Sequence, residues 1–280
     1  MSYLTIDPKE VTTPKLQAYL QGVIAPRPIA LASTIDAAGN VNLSPFSFFN
    51  LFSTNPPIIA FSPSRRVRDN TTKHSLHNVM EVPEVVVNIV NYAMVEQTSL
   101  ASCEYPKEMN EFTKAGFTEL PSVKVKPPRV AESPASFECL VKQVVPLGDQ
   151  GGAGNLIICE ILLAHINKDI LNEQGEVDPQ KLDAVARMGG DYYCRAHDNN
   201  IFVVPKPNTK LGIGFDQLPL SIRRSKILSG NDLARLANIY VLPHSSKTSE
   251  DNHDEERLHQ AAKELLAQGR VEEAWKILLS

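Results

Sequence analysis

Over roughly the first 205 residues the apolar positions come in short runs, not in long helical stripes. Residues 28–34 (PIALAST) are apolar and end in Ser33 and Thr34. Residues 41–43, 58–62, 84–90, 135–147, 156–167 and 201–204 are further apolar or β-branched runs that read as strands. The stretch Asp36-Ala37-Ala38-Gly39-Asn40 has turn chemistry, and Asn55-Pro56-Pro57 resets the chain before the run at 58. Pro45 lacks a ladder donor, so the strand from Val41 is expected to end before it, turning the amides and hydroxyls of Ser44-Pro45-Phe46-Ser47 outward. Helices are predicted from Thr13-Pro14, with Leu16, Tyr19 and Leu20 on one face, and over 73–80, 93–103, 110–115 (stopped by Gly116) and 178–184. Strands without regular crossover helices predict a mainly β fold, an antiparallel barrel with peripheral helices, and not a doubly wound sheet.

The pattern changes after about residue 205. Ser229-Gly230-Asn231-Asp232 precedes Leu233, Leu236, Ala237 and Tyr240, the signature of an N-capped helix. Residues 245–256 (SSKTSEDNHDEE) hold no large apolar side chain and read as an exposed linker. Leu258, Ala261, Ala262, Leu265 and Leu266 then share one helix face, Gly269 breaks it, and Val271, Ala274, Trp275 and Leu278 share the next. This resembles half a tetratricopeptide-type repeat, and one hairpin cannot make a solenoid. The expected organisation is a barrel over 1–205, an extension packing on it over 206–244, a linker over 245–256 and a C-terminal helical hairpin over 257–280. The hairpin is expected to pack on its own barrel or on a dimer partner.

Composition narrows the classes. The chain has 280 residues, 42% hydrophobic and 21% charged, ordinary values for a globular protein with a sizeable core. A formal charge of −4 argues against non-specific nucleic-acid binding. No apolar run approaches the ~20 residues that span a bilayer, and MSYLTIDPKE is not a signal peptide, so a cytoplasmic protein without membrane partners is expected. Cys103, Cys139, Cys159 and Cys194 form no CxxC pair, and no metal site is predicted; His74 and His77 lack a carboxylate or thiol partner. The glycine-rich joint over 148–154 is followed by a strand, not a helix, which makes it a flexible hairpin loop and not a dinucleotide fingerprint.

Six pieces in one unbroken order carry a family likeness: APRPIALAST from Ala25, NLSPFSFFN from Asn42, NPPIIAFSP from Asn55, VVVNIV from Val85, PPRVAESP from Pro127 and ARMGGDYY from Ala186. Together they resemble the flavin reductase-like family of FMN-binding split-barrel proteins. The resemblance implies a Greek-key antiparallel split barrel that dimerises with FMN at the subunit boundary. It further implies an oxidoreductase passing hydride from NADH or NADPH to the flavin, with reduced flavin leaving or serving a monooxygenase or other electron acceptor.

A flavin needs phosphate donors, polar contacts at the ring edge and an open face; the cofactor carries the chemistry, so no catalytic side chain is predicted. Three suppliers for the phosphate are the Ser44–Ser47 loop, Ser62 and the segment 65–75, where Arg65, Arg66, Arg68 and Lys73 add charge; the plain alternative is a solvated basic surface. The family's Lys-Asp-Thr-x-x-Asn element is matched by Lys73, Ser75 for Thr and Asn78, with His74 in place of Asp. For the ring, the resemblance points to Thr34, to the main chain of Ser44, Pro45, Phe46 and Ser47, and to Arg27 nearby; Arg187, before Gly189-Gly190, would border the flavin or nicotinamide. Two other readings stay open: an FMN-holding electron carrier or redox sensor without reductase turnover, and a ligand-free barrel whose helical hairpin binds a partner.

Overall fold

The computed structural model describes residues 1–205, 211–243 and 255–280, in two compact units, Met1–Phe202 and Val203–Ser280. The first opens with α1 (Thr13–Val23), β1 (Ala30–Ile35), β2 (Val41–Phe46), β3 (Phe49–Thr54), β4 (Pro57–Phe61), α2 (His74–Glu81) and β5 (Glu84–Ile89). It continues through α3 (Val95–Leu100), α4 (Glu111–Ala115), the short β6 (Glu119–Leu120) and β7 (Arg129–Val130), the long β8 (Ala135–Pro146) and β9 (Asn155–Ile166), α5 (Pro179–Leu182), β10 (Val185–Arg187) and β11 (Tyr193–Arg195). Seven strands form one antiparallel sheet in the order β2-β1-β5-β8-β9-β4-β3, a split β-barrel with peripheral helices.

Strand parity explains why β1 is buried on both faces. Ala30 and Ala32 face the barrel interior with Phe46, Phe61, Val85, Val87, Cys139 and Ile157, and α2 adds Leu76 and Val79 to that core. Leu31, one residue out of phase, faces a second core with Leu43, Met94, Phe112 and Val130 under α3 and α4. Asn88, the polar position embedded in β5, is fully buried; its amide donates to the Leu31 carbonyl, and its Oδ1 accepts from Val130 N and Ser136 Oγ. Two register shifts between β8 and β9, at Glu138/Cys139 and Val141/Gln143, are the bulges that curve this long ribbon.

Several expectations change. β2 does not stop before Pro45 but runs through it to Phe46: it is an edge strand, the position in a sheet where proline is tolerated. β3 lies outside the predicted strands; it pairs with β4 as a hairpin, and its polar and exposed positions mask its period. α1 begins at Thr13 as expected, with Thr12 as its N-cap and Pro14 in its first turn. Residues 201–204 are not a strand, and Phe202 and Val203 are exposed. The 148–154 joint is a hairpin connection, but it is packed, not loose. A Cβ on Gly151 would sit 3.0 Å from the Arg66 carbonyl oxygen, and one on Gly152 (φ +94) would sit 2.8 Å from Thr13 Cγ2.

The second unit is helical: α6 (Leu220–Arg223), α7 (Gly230–Ala237), α8 (Glu255–Ala267) and α9 (Val271–Leu278). Ser229 and Asp232 form a reciprocal capping box on α7. Leu233 and Leu236 of α7 share a core with Ala262 and Leu266 of α8 and Trp275 and Leu278 of α9. Trp275 Nε1 donates to the Leu236 carbonyl (3.1 Å) and the Arg235 guanidinium to that of Leu266 (2.9 Å). The hairpin therefore builds its core with the extension that precedes it. Most of the expected linker lies outside the described residues, and its last two positions, Glu255 and Glu256, begin α8. Among the described residues no helix is long and apolar enough to cross a membrane.

Candidate functional site

Arg27 is a buried cation of the barrel unit, held on several sides. Its main chain pairs with that of Arg187 in both directions, each N–H···O contact at 2.9 Å. Its guanidinium donates to the carbonyls of Gln21 (2.5 Å), Ile24 (2.6 Å) and Met188 (2.8 Å), so it caps the C-terminal end of α1 and ties it to the 187–190 turn. Nε is buried without a partner, and burial, then the Arg187 charge, lowers the pKa below the usual arginine value. Gly189 allows the close approach, because a Cβ there would lie 2.9 Å from Gly22 Cα. Among the described residues no carboxylate pairs with its guanidinium.

A cavity of about 340 Å³ lies beside this clamp, lined by Leu16, Leu20, Ile24, Arg27, Phe48 and Ser64 among others. The strand end beneath it is fixed by Ser62 N–H donating to the Phe48 carbonyl (2.9 Å), which brings Ser62 next to the Ser44–Ser47 stretch. Ser62 Oγ is buried with no partner, and a Cβ on Gly154 would sit 2.5 Å from it. Ser44, Pro45 and Ser47 are partly buried along β2 and its end. The Phe46 ring is in the core, 5.3 Å from that of Phe61.

The basic segment is less free than its charge suggests. Arg65 is bonded to Asn70, and Arg66 to Thr71 Oγ1, the Thr72 carbonyl and Glu104; Arg68 is paired with Asp69 and Glu104. Lys73, at the start of α2, is half-buried and has no partner among the described residues; burial, then Arg66, lowers its pKa. Ser75 is fully buried and donates to Asn42 Oδ1 (2.6 Å), while Asn42 Nδ2 donates to Glu111 Oε1 (2.7 Å) and Leu43 N to Glu111 Oε2 (2.9 Å). Burial raises the Glu111 pKa. Thr34 is likewise buried, its Oγ1 accepting from Asn78 Nδ2 (3.1 Å). The hydroxyls of Ser75 and Thr34 are thus spent inside the barrel, where they seat α2 on β1 and β2.

Arg187 turns to a separate cavity of about 410 Å³, whose lining includes Tyr92, Glu96, Asp191, Tyr193 and Arg195. Its guanidinium stacks on Tyr193 (4.6 Å to the ring centroid) and donates to Tyr193 Oη and the Gly190 carbonyl. The structure therefore places Arg27 in the wall of the first cavity with Phe48 and Ser64, leaves Ser62 and the Ser44–Ser47 stretch outside its lining, ties the helix that follows Lys73 to β2 through the Ser75–Asn42 bond, and joins Arg187 to Arg27 only through its backbone. Glu104, Asn42 and the α1 residues carry no mark of a site in the sequence; an asparagine inside an apolar strand is the one available signal.

Comparison with known proteins agrees with this architecture. Residues 24–181 match the family model described as flavin reductase like domain. The chain belongs to the flavin reductase-like family. A protein of Aquifex aeolicus is 39% identical over 188 residues, 67% of this chain and 93% of that one. Among solved structures, nitrilotriacetate monooxygenase component B from Bacillus cereus superposes with a TM-score of 0.68 at 27% identity, covering 73% of this chain and all of that one. The 2-nitrobenzoate 2-nitroreductase of Pseudomonas fluorescens gives a TM-score of 0.61 at 25% identity, over 72% of this chain and 96% of that one. At this level the protein is a flavin-related oxidoreductase. The flavin reductase-like match ends before the helical unit, Val203–Ser280.

Proposed function

We propose that this protein binds FMN at the Arg27–Phe48–Ser64 cavity and acts as an NAD(P)H-dependent flavin reductase. One observation carries the reading: Arg27 Nε, a buried polar atom without a partner, belongs to a residue in the wall of a mainly apolar cavity. A buried unpaired polar atom costs about 1–3 kcal/mol, so a ligand that pairs it is favoured there. This donor set fits a planar ring with a polar edge. When bound, the flavin supplies a centre that accepts hydride from nicotinamide.

The chain's own residues do the rest. Arg27 keeps a fixed positive charge at the cavity, since its remaining nitrogens are pinned by three carbonyls and cannot swing away. Leu16 and Leu20 of α1, with Ile24 just past its end, form the apolar side of the cavity. The Ser44–Ser47 main chain and Ser62 offer polar contacts, and Lys73 offers an unneutralised cation for the phosphate. Ser75 and Thr34 act as positioning residues that set α2 and Lys73 over the sheet, and Arg187 borders the site through the Arg27 strand.

The exposed apolar side chains of β3, with Phe48 beside it (Phe48 42%, Phe52 67% exposed), support a homodimer through this edge. The similarity to component B of a monooxygenase supports delivery of reduced flavin to a monooxygenase or another acceptor. The test is steady oxidation of NADH and of NADPH by the full chain with added FMN. Turnover with either nicotinamide is the expected result. Bound flavin without turnover would make the protein an electron carrier or sensor, and no flavin binding would leave a partner-binding barrel.

A further inference from the structure

The basic segment contains an anion of its own. Glu104 Oε1 accepts from Arg66 Nε (2.8 Å), and Oε2 pairs with Arg68 NH2, while Lys73 beside them has no partner among the described residues. Arg66 is itself locked, with NH1 donating to Thr71 Oγ1 and to the Thr72 carbonyl, both at 2.8 Å. Asp69 takes Arg68 Nε at 3.1 Å but is also committed to Thr71. Three cations thus face two carboxylates, and Lys73 is the one left over.

Glu104 is held differently from the groups around it. Its carboxylate meets only the two arginine side chains, and no backbone amide holds it among the described residues. The backbone bonds of its loop are internal: Cys103 N to the Leu100 carbonyl, Tyr105 N to that of Cys103 and Met109 N to that of Pro106. The side chain can therefore leave the arginines while the loop stays folded. A carboxylate has two oxygens and one charge; a phosphate monoester has three free oxygens and nearly two charges, enough to take both arginine donors and reach Lys73 together.

We propose that Glu104 is an internal stand-in for a ligand phosphate, displaced from Arg66 and Arg68 when a phosphorylated flavin binds, and that it thereby sets how strongly the site prefers phosphorylated over unphosphorylated flavin. The proposal rests on the flavin-binding reading above. It makes Glu104 a competitor: each phosphate oxygen that bonds to Arg66 or Arg68 takes the place of a carboxylate oxygen, and only the bond to Lys73 is wholly new.

The experiment is calorimetric titration of the full-length wild type, Glu104→Gln and Lys73→Ala with FMN and with riboflavin. Removing an exposed competing ion pair is expected to tighten FMN binding about three- to tenfold in Glu104→Gln, with riboflavin binding unchanged. Lys73→Ala is expected to weaken FMN and leave riboflavin unchanged. FMN binding that is equal or weaker in Glu104→Gln, while Lys73→Ala still weakens it, overturns the stand-in role and leaves the flavin site intact. Equal tightening of FMN and riboflavin also overturns it, because the effect would not lie at the phosphate. A wild type that binds neither flavin overturns the proposal together with the reading beneath it.

Discussion

Arg27 and Lys73 are two desolvated cations of the barrel unit, and neither has a carboxylate partner among the described residues. Arg27 is satisfied by three backbone carbonyls and in return holds a helix and a turn in place. Lys73 has no hydrogen-bond or ion-pair partner among the described residues, and burial, then Arg66, lowers its pKa. Both carry desolvation costs, but only one recovers its cost within the fold. The comparison separates a cation that builds the scaffold from one that is kept for a ligand, a distinction that charge counting along the basic segment does not make.

Replacing Arg27 breaks the scaffold end. Arg27→Met orphans three carbonyls and releases α1, and thermal unfolding should report a loss of about 3 kcal/mol, the scale of charge-assisted bonds lost from a buried site. Lys73→Ala should do the reverse: melting unchanged, because no native hydrogen bond or ion pair is removed, and FMN affinity down more than tenfold in an equilibrium titration. Equal effects of the two variants on stability would erase the contrast.

The contrast sharpens with pH. The pKa of Lys73 lies below the ordinary 10.5, so raising the pH neutralises it earlier than an exposed lysine. The preference for FMN over riboflavin should therefore be full at neutral pH and begin to fall below the usual lysine range. In Lys73→Ala that alkaline fall should vanish. The smallest effect belongs to Ser62→Ala, which deletes an unpartnered buried hydroxyl: melting unchanged or slightly raised, and flavin affinity lower by about two- to fivefold.

Much of the barrel is legible in the sequence because strand periodicity and burial coincide. The runs at 84–90, 135–147 and 156–167 correspond to β5, β8 and β9, and Asn110 and Gly116 bound α4 through a side-chain cap and a left-handed C-cap. β3 is not legible, because its side chains are partly exposed and its polar residues hide the alternation. Pro45 misleads because its effect depends on whether a strand is an edge, which only the sheet order decides. At the site, residue types point to the right segments and miss their partners. Nothing in Lys73-His74-Ser75 says that Ser75 donates to Asn42 or that Glu104, thirty residues on, takes two of the arginines. Those facts are tertiary, and they divide the cations between structure and ligand.

The central claim, that this barrel holds a flavin and passes hydride to it, is tested most directly by one spectrum. The purified full chain is mixed with FMN, freed of unbound flavin, and its visible absorption followed without oxygen as NADH and then NADPH are added. The account predicts a protein-bound flavin spectrum that bleaches with one or both nicotinamides. A protein that retains no flavin, or a bound flavin that stays oxidised with both, would contradict it.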